Sequence, residues 1–494
     1  MSRKKKKKRS LLNLIISFIL LLVSGYLIYS LYNLDMLSLL FFLIITAVII
    51  LVDIFIIWVI NRKRRSFIRT FFALVAVILI AGYSYGIYNL NNTADFIKKV
   101  VENAGIKEEV FSIYVLENSK YKKLTDLDGH DMGIYSKGSD LLDDAIKELN
   151  KKVTPNSETK YDDIEEILNA GINREVEAIF VSKSMKEIMD ENYPSLISQY
   201  RILDEIVVTK KEKVSKSKVN VAKEPFTIYI SGIDTSGSIN TTGRSDVNIL
   251  AVVNPKDGKI LMIHTPRDYY VKLHSKNDYD KLTHAGIYGI DESLKTMEDI
   301  YARDIDFYFK INFSSVVKLV DSLGGIEVDV PKSFCEQDSQ RRQGSYRICL
   351  NSGTQTINGE EALALARHRH TLSNGDMGRG DNQVLIMKAI INKMASKEII
   401  TKYSSILKVL DNYLVTNMDE KSISRLAKLQ QEKNIDWQME SANVVGTNGY
   451  RTTYSGGRYK LAVVVPDDSS ITKAKQKISE YLGEKQESSE SKSS

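Results

Sequence analysis

Three long apolar segments near the N-terminus limit what this chain can fold into. They cover residues 11–31, 37–60 and 67–88. A helix of about 20 apolar residues crosses a hydrocarbon core of roughly 30 Å. These segments are apolar on every face, whereas a helix that packs on a soluble core is apolar on one face only. The sequence therefore predicts a three-helix membrane anchor within residues 1–92.

Basic residues around these segments predict the orientation, because Lys and Arg in short flanking segments stay in the cytoplasm. Residues 3–9 read RKKKKKR, and residues 62–69 contain five basic side chains, whereas residues 33–36 contain none. We therefore expect a multi-pass protein of the cell membrane with a cytoplasmic N-terminus and extracellular domains after about residue 90. A cleaved signal peptide is disfavoured, since the first apolar run is too long and no A-x-A site follows it.

The net charge of +6 at pH 7 raises the question of a nucleic-acid partner. The dense basic runs flank the membrane segments, where anionic lipid headgroups explain them. The cytoplasmic portion contains no helix-turn-helix pattern. We therefore predict contact with membrane lipids and no nucleic-acid partner.

One acidic residue, Asp53, lies inside the second apolar segment. A charge at membrane depth is costly, and such residues often have a function. Protonation or pairing within the helix bundle would accommodate it, and we favour a structural role over a functional one.

The exported part of the chain contains both cysteines, Cys335 and Cys349. An oxidising compartment permits a disulfide here, which would close a loop of about 15 residues. A metal site would need more ligands than this pair offers. The favoured prediction is a disulfide.

The exported part divides by composition into α/β units. Residues 93–209 alternate strand-like and helix-like runs and are predicted to form a small accessory domain, whose role as a spacing or interaction module is favoured over that of a small-molecule receptor. A charged segment at 210–224 is predicted to be a linker. Residues 225–483 are predicted to form a second α/β domain with a central β-sheet flanked by helices. The Ser-rich residues 484–494 are predicted to be a disordered tail.

Charged side chains recur where strongly apolar strands begin or end. In the first part of the second domain they are Asp234, Arg244, Asp246, Arg267 and Asp268. A further set follows a helix that begins after Asn358 and comprises Arg367, Arg369, Asp376, Arg379, Asp381 and Gln383. Any one of these arginines alone would be read as a solvated surface residue. Their shared position at element ends predicts that they converge on one edge of the sheet.

Six successive motifs containing these residues resemble those of the LytR-CpsA-Psr family. In order they are GIDTSG, RSDVNILAVVNP, HTPRD, KLVDSLGGIEVDVP, INGEEALALARHRH and GDMGRGDNQ, all within residues 226–394. The three-segment anchor and the intervening domain are similar to the capsule-biosynthesis, CpsA-like branch of that family. The likeness of the intervening domain is one of architecture and not of motifs.

The resemblance implies an enzyme, a glycopolymer-peptidoglycan phosphotransferase in a Gram-positive type of envelope. Such a domain receives a polyprenyl chain in a hydrophobic pocket and holds its phosphates with arginines. The implied reaction transfers capsular polysaccharide, as glycan phosphate, from an undecaprenyl-pyrophosphate carrier to a peptidoglycan hydroxyl, and undecaprenyl phosphate leaves. The implied partners are this lipid-linked polysaccharide, peptidoglycan and other capsule-assembly membrane proteins.

Site roles follow from the matched motifs and from side-chain chemistry. Arginine presents a planar, permanently charged fork to phosphate oxygens, so the predicted pyrophosphate-binding residues are Arg244, Arg267, Arg367, Arg369, Arg379 and Gln383. Carboxylates suit Mg²⁺, so the predicted ligands for Mg²⁺, or another divalent cation, are Asp234 and Asp246, with pairing to arginines as the alternative. The predicted catalytic residues are Arg267, Arg367, Arg369 and Asp376.

Asp376 is a candidate general base for the attacking hydroxyl, or a residue that positions an arginine. Asp381 and Gln383 are expected to orient the segment that carries Arg379. Family members often have Arg where this chain has Asn382, which removes one candidate phosphate donor.

Several alternatives remain open from the sequence. Hydrolysis of the same pyrophosphate uses an oxygen nucleophile at the same phosphorus, so a polyprenyl-pyrophosphate glycan hydrolase is the nearest rival function. A non-catalytic regulator of capsule synthesis that binds polyprenyl phosphate is the second. The tripeptide at residues 379–381 also matches an integrin-binding motif, but it lies within a family motif. The histidines His284, His368 and His370 are expected to be packing residues in preference to general bases.

Overall fold

A computed structural model describes residues 11–62, 66–212, 214, 217–233, 238–372, 375–396, 406 and 413–484. The predicted tail at 484–494 therefore lies almost wholly outside the described residues, as does part of the predicted linker. The chain folds into two compact units. One is formed by residues 1–99, 397–408 and 419–435, and the other by residues 100–396, 409–418 and 436–494.

The helices and strands have the following bounds. The helices are α1 (Leu11–Leu34), α2 (Leu39–Asn61), α3 (Ser66–Asn103), α4 (Leu142–Leu149), α5 (Ile164–Ile172), α6 (Lys186–Asn192), α7 (Pro194–Ile197), α8 (Leu282–Ala285), α9 (Ile290–Tyr301), α10 (Phe313–Ser322), α11 (Gly359–Arg367), α12 (Asp376–Ala395), α13 (Glu420–Lys433) and α14 (Asp468–Leu482). The first ten strands are β1 (Ile106–Leu116), β2 (Asp131–Tyr135), β3 (Ser157–Tyr161), β4 (Ala178–Ser182), β5 (Tyr200–Lys211), β6 (Phe226–Ile233), β7 (Ser245–Asn254), β8 (Lys259–His264), β9 (Tyr270–Lys272) and β10 (Tyr279–Lys281). The others are β11 (Phe307–Asn312), β12 (Ile326–Val330), β13 (Phe334–Glu336), β14 (Ile348–Leu350), β15 (Gly353–Ile357), β16 (Leu414–Thr416), β17 (Gln438–Asn443), β18 (Gly446–Thr452) and β19 (Lys460–Pro466).

The three predicted membrane segments are helices α1, α2 and α3, and all three are long and apolar enough to cross a membrane. Helix α3 is longer than the predicted span at 67–88, since it has 38 residues and ends at Asn103. The segment predicted to open the accessory domain is therefore still helical, and the first strand begins at Ile106.

Polar side chains are buried among the three anchor helices. Asp53 of α2 is only 2% exposed, and the hydroxyl of Tyr83 on α3 donates a hydrogen bond to its Oδ1 atom at 3.3 Å. The apolar neighbours at the centre are Leu20, Ile56 and Ala76. Asp53 thus has a hydrogen-bond partner inside the bundle, which fits the structural role favoured from the sequence.

The accessory domain is a five-stranded mixed sheet in the order β3-β2-β4-β1-β5. Strand β2 runs parallel to β3 and β4, while β1 is antiparallel to β4 and β5. Alternate residues of β4 point to opposite faces: Phe180 packs in a core with α4, and Ile179 packs in another core with α5 and α6. Helices therefore cover both faces of this sheet.

The core beneath α5 and α6 extends beyond the accessory domain. It contains Ile188 and Met189 of α6 together with Leu273, Ile287 and Tyr288 from the second domain. The sequence predicts these two domains as separate units, whereas the structure packs them around one continuous core inside a single compact unit. Composition along the chain does not reveal such a shared core, because the residues that form it are far apart in sequence.

The second domain has the predicted central sheet, with six strands in the order β16-β11-β6-β7-β8-β17. Strands β7 and β8 form a hairpin, since they are antiparallel neighbours joined by residues 255–258. Helices α9 and α14 bury Met297 and Ile478 against one face. Helix α12 lies against β7 and β8 on the other face. The fold class is α/β with a helix-flanked sheet, as predicted.

Candidate active site

One edge of the central sheet collects the first group of predicted site residues. Strand β7 begins at Ser245 and β8 ends at His264, and the antiparallel register pairs Ile249 with His264. The start of β7 and the end of β8 therefore share one edge of the sheet. Arg244 and Arg267 flank these two strand ends, so the hairpin brings together two arginines that are well separated in sequence.

Helices α11 and α12 bring the second group to the same place. The side chain of Asn358 accepts a hydrogen bond from the backbone N–H of Glu361, and Glu361 accepts one from the backbone N–H of Asn358, so a capping box starts α11. That helix ends at Arg367. Arg379 and Gln383 lie four residues apart on α12, so they share one face of the helix.

These two groups line one cavity of about 250 Å³, which we call the arginine cavity. Its lining residues are Glu191, Arg244, Asp246, Arg267, Phe313, Glu336, Gln337, Arg341, Ala366, Arg367, Arg369, His370, Arg379 and Gln383. All five predicted phosphate-binding arginines, Gln383 and Asp246 are among them. Six arginines against three carboxylates leave an excess of positive charge, which favours a polyanionic ligand.

Asp246 is the most deeply held acid of the cavity. Its Oδ2 accepts a hydrogen bond from Arg267 Nη1 at 3.1 Å, and its Oδ1 accepts one from the Thr283 hydroxyl at 3.0 Å. Burial raises the pKa of this carboxyl, but the charges of Arg267, Arg244 and Arg379 outweigh burial and hold the pKa well below its ordinary value. Asp246 is therefore ionised throughout the neutral range.

Arg267 has a second acidic neighbour in Asp268. The distance from Arg267 Nε to Asp268 Oδ2 is 3.6 Å, and Lys281 Nζ lies 3.1 Å from Asp268 Oδ1. Burial raises the pKa of Asp268, while Arg267 and Lys281 lower it by more, so that the net shift is downward. Carboxylates thus hold the guanidinium of Arg267 on two sides.

A close approach between α12 and β8 places Arg379. A Cβ atom on Gly380 would lie 2.1 to 2.5 Å from the ring atoms of His264, so only glycine permits this contact. Burial and the nearby charge of Arg379 lower the pKa of His264 to about 3, and the ring is therefore neutral at physiological pH. The first turn of α12 rests directly on the end of β8 through these residues.

Arg244 is held by two acids of the accessory domain. Its Nε lies 2.5 Å from Glu187 Oε2, and its Nη1 donates a hydrogen bond to Glu191 Oε1 at 2.9 Å. Burial lowers the pKa of Arg244, but the carboxylates of Asp246, Glu187 and Glu191 together raise it above its ordinary value. Helix α6 therefore forms part of the cavity wall.

Arg367 ends α11, and Arg369 follows two residues later. Arg367 Nη1 donates to the backbone oxygen of Asp338 at 3.2 Å, and its guanidinium lies 5.4 Å from the centre of the Phe313 ring. Arg369 is exposed and, within the described part of the chain, has no ion pair. The Arg369 side chain is thus accessible to a ligand from solution.

The predicted disulfide is present and joins Cys335 to Cys349 across the β13–β14 hairpin. Glu336 and Gln337 follow Cys335 directly and line the cavity. His368, predicted to be a packing residue, is buried, stacks on Phe334 and approaches Glu336 Oε2 at 3.4 Å through Nδ1. The cross-linked hairpin thus supplies a rim to the cavity.

Some predicted site residues lie elsewhere or outside the described part. Asp234 is not among the described residues, and nothing is described of the Asp376 side chain, so their predicted roles remain predictions.

Asp381 does not line the cavity, and its Oδ1 accepts a hydrogen bond from Asn443 at 2.5 Å. Asn382 is buried and donates to the backbone oxygen of Leu365, so its side chain serves helix packing instead of the cavity. His284 is buried against Asp280 and Ser455, as expected of a packing residue.

The sequence analysis did not predict several lining residues, namely Glu191, Phe313, Glu336, Gln337 and Arg341. His370, expected to be a packing residue in preference to a general base, is exposed and lines the cavity. For Arg341 a signal exists, because it lies in the loop that the predicted disulfide closes. Glu191 gives no such signal, since its neighbours in sequence are ordinary residues of an amphipathic helix.

The family model LytR_cpsA_psr matches residues 198–477, more than half of the chain. The chain belongs to the LytR-CpsA-Psr family. This match includes every element that contributes to the arginine cavity except α6, which precedes it in the sequence.

Individual relatives are about one third identical to this member of the LytR-CpsA-Psr family over the aligned residues. It is 34% identical over 213 residues to the polyisoprenyl-teichoic acid--peptidoglycan teichoic acid transferase TagU of Bacillus subtilis, an alignment that covers 43% of this chain and 66% of TagU. It is 32% identical over 282 residues to biofilm regulatory protein A of Streptococcus mutans, covering 54% of this chain and 66% of that protein. The chain therefore spans slightly less than two thirds of the length of these relatives. Among solved structures, Bacillus subtilis TagV matches with 29% identity and a TM-score of 0.45 over 53% of this chain and 99% of TagV.

Proposed function

We propose that the protein is a phosphotransferase that attaches a glycopolymer, as glycan phosphate, from a polyprenyl-pyrophosphate carrier to peptidoglycan. The observation that carries this proposal is the arginine cavity, where six arginines and three carboxylates line one cavity. Membership of the LytR-CpsA-Psr family supports it, since TagU and TagV are named as transferases of teichoic acid to peptidoglycan. We further propose undecaprenyl pyrophosphate as the carrier and capsular polysaccharide as the glycopolymer.

The proposed reaction is a displacement at the phosphorus next to the sugar. The oxygen of a peptidoglycan hydroxyl forms a bond to this phosphorus, the bridging P–O bond breaks, and polyprenyl phosphate leaves with the bonding electron pair. The hydroxyl proton passes to a base, for which Asp376 remains the predicted candidate. Negative charge accumulates on the leaving phosphate, and Arg267, Arg367 and Arg369 would stabilise it.

Arg244, Arg379 and Gln383 complete the proposed phosphate-binding set. Arg379 and Gln383 face the cavity from α12, and Arg244 faces it from the start of β7. Charge-assisted hydrogen bonds from planar guanidinium groups both bind and orient phosphate oxygens. Orientation matters because an in-line attack requires the acceptor oxygen opposite the leaving oxygen.

A divalent cation is part of the proposal, and the side chains fit one. Mg²⁺ is commonly held by one or two carboxylates together with phosphate oxygens of the substrate, and Asp246 is an ionised carboxylate within the cavity. Among the residues that the structure describes, no group of three or more acidic, His or Cys side chains is arranged to hold a metal alone. Asp246, with Asp234 as the second predicted ligand, would therefore bind Mg²⁺ jointly with the substrate, and the ion would neutralise charge on the phosphates.

The proposed location is the outer face of a Gram-positive type of membrane. The chain has three helices that are long and apolar enough to cross a membrane. The basic residues around them favour a cytoplasmic N-terminus. This orientation would place the second domain on the side where peptidoglycan lies.

A reconstituted transfer reaction tests the proposal. The full chain in detergent is incubated with lipid-pyrophosphate glycan, Mg²⁺ and peptidoglycan fragments, and the phosphodiester-linked product is sought by mass spectrometry. We expect product with the wild type and a loss of about 10²-fold or more with Arg267→Ala and Arg367→Ala. Wild-type transfer by these variants would refute the role of the arginines, and release of free glycan phosphate alone would identify a hydrolase.

A further inference from the structure

Arg244 differs from the other arginines of the cavity in having two acidic partners from a different domain. Glu187 and Glu191 both belong to α6 of the accessory domain, and both approach Arg244 within 2.9 Å. They lie four residues apart and hence on the same face of the helix. Arg244 side-chain exposure is only 10%, whereas Glu187 and Glu191 are 37% and 54% exposed.

The position of α6 is set by packing on the opposite side of the helix. Ile188 and Met189 are buried in the core shared with Leu273 and Ile287. The next residues add a polar contact, since the hydroxyl of Tyr193 donates to the backbone oxygen of Gly456 at 3.3 Å. The two glutamates are therefore presented to Arg244 by a buried scaffold and not by a free loop.

A phosphate group in the cavity would need the same guanidinium that these glutamates occupy. Carboxylate and phosphate oxygens are both anionic acceptors for a guanidinium N–H, and Glu191 lines the cavity directly. Each glutamate would also repel a phosphate held by the neighbouring arginines. The glutamates of α6 and a phosphate ligand would therefore compete for the Arg244 guanidinium.

We propose that Glu187 and Glu191 of the accessory domain compete with the phosphate groups of the ligand for Arg244, so that the accessory domain tunes how tightly the arginine cavity holds pyrophosphate. The inference rests on the proposed function in that the ligand is a pyrophosphate. It assigns the accessory domain a direct part in the site. Because the substrate must be bound and its phosphate-bearing product released, two competing carboxylates limit the affinity for both.

Charge-neutral substitution separates competition from simple positioning. Glutamine keeps a hydrogen-bond acceptor for Arg244 but removes the negative charge. The test variant is therefore E187Q/E191Q, and the matched control is Asp190→Asn. Asp190 lies on the same helix, but its carboxylate pairs with Lys186 at 2.6 Å and does not line the cavity.

The experiment measures binding of inorganic pyrophosphate to the full chain in detergent micelles by calorimetry, without divalent cations, at low and high salt. We expect the double variant to bind about three- to tenfold more tightly than wild type at low salt, on the scale of two partly exposed ion pairs. The gain should shrink at high salt because the charges are screened. Asp190→Asn should bind like wild type. The gain from the glutamine substitutions should be smaller when Arg244→Ala is also present, because only the repulsion between the glutamates and the phosphate then remains.

The inference is overturned if the double variant binds pyrophosphate with unchanged or weaker affinity, since the glutamates would then only position Arg244. Arg267→Ala separates this failure from a failure of the proposed function. Loss of binding in Arg267→Ala, with no change in the double variant, refutes the competition alone. Absence of binding in wild type and in the double variant refutes both.

Discussion

Asp246 and Arg267 form the buried ion pair of the arginine cavity, with 3.1 Å between Asp246 Oδ2 and Arg267 Nη1. Asp246 follows the start of one strand and Arg267 follows the end of the next, so the hairpin itself creates the pair. The carboxylate offsets the mutual repulsion of three arginines that would otherwise face one another. The same ionised carboxylate is a candidate ligand for a divalent cation. Of the two predicted ligands, Asp246 is the one that lies among the described residues.

The role of Asp246 in metal binding predicts a changed Mg²⁺ requirement. We expect wild-type transfer to stop when EDTA removes divalent cations, and Asp246→Asn to need a higher Mg²⁺ concentration for half-maximal transfer. The measurement is a Mg²⁺ titration of product formation. Asp381→Asn is the control, because Asp381 lies outside the cavity lining and should keep the wild-type requirement. If Asp246→Asn keeps the wild-type Mg²⁺ requirement, then Asp246 only balances the charge of the arginines and does not bind the metal.

Arg369 is predicted to serve binding or catalysis and not stability. It is exposed and has no ion pair within the described residues, so its removal breaks no ion pair of the folded protein that the structure describes. We expect Arg369→Ala to lower kcat/KM for transfer about 10²-fold, with an unfolding temperature within about 1 °C of wild type. Arg342→Ala offers the comparison. Arg342 Nε lies 2.6 Å from Asp338 Oδ2, and Arg342 is not among the residues that line the cavity. Equal activities of the two variants would contradict the assignment of Arg369.

The buried His264 predicts a loss of stability in mild acid. Its pKa in the folded protein is about 3, against an ordinary value of 6.5, so between these values the unfolded chain binds the extra proton. The contribution of His264 is therefore fully present above about pH 6.5 and declines as the pH falls towards 3, by about 2 kcal/mol at pH 5. Chemical unfolding of the full chain at pH 7 and pH 5 measures it. His264→Gln should unfold with a smaller difference between the two pH values, and an equal difference would place the acid sensitivity elsewhere.

Gly380 predicts a steric limit at the start of α12. The Cβ atom of an alanine would lie 2.1 Å from the His264 ring, so the helix or the ring must move. We expect Gly380→Ala to reduce the free energy of unfolding by about 1–3 kcal/mol, and to weaken transfer because Arg379 precedes this residue. Gly82→Ala, at a helical glycine with nothing within 4 Å of the added Cβ, should change neither. If Gly380→Ala has the wild-type free energy of unfolding and wild-type transfer, then the helix and the His264 ring move apart without loss of stability.

The disulfide predicts a dependence on redox state. Cys335 and Cys349 are 14 residues apart, and a cross-link closing such a loop contributes about 3 kcal/mol by restricting the unfolded chain. We expect the double variant C335S/C349S to unfold at a lower temperature than wild type and to bind the donor less tightly, since Glu336 and Gln337 on the hairpin line the cavity. Addition of a reductant should lower the unfolding temperature of wild type towards that of the variant. A wild type insensitive to the reductant would show that the bond does not stabilise the fold.

Much of this site was predictable because its residues lie in local patterns. A strand end, a helix cap or a disulfide-closed loop each has a short sequence signal, and Arg267, Arg367 and Cys335 follow such signals. The hairpin register then brings the arginines of β7 and β8 together without further information. Glu191 had no comparable signal, because its pairing with Arg244 joins residues 53 positions apart in different domains.

Several features of this protein can be predicted from the sequence alone: three apolar helices long enough to cross a membrane, the alternation of strands and helices, the family motifs and the charged residues at element ends. These follow from hydrophobic length, periodicity and local capping, which act between residues close along the chain. Other features become visible only in the folded protein: the core that the accessory domain shares with the second domain, the position of α6 beside the arginine cavity, and the hydrogen bond of the Asn382 side chain to the backbone of α11. These depend on packing between distant segments, where burial selects one arrangement among many that the local sequence allows.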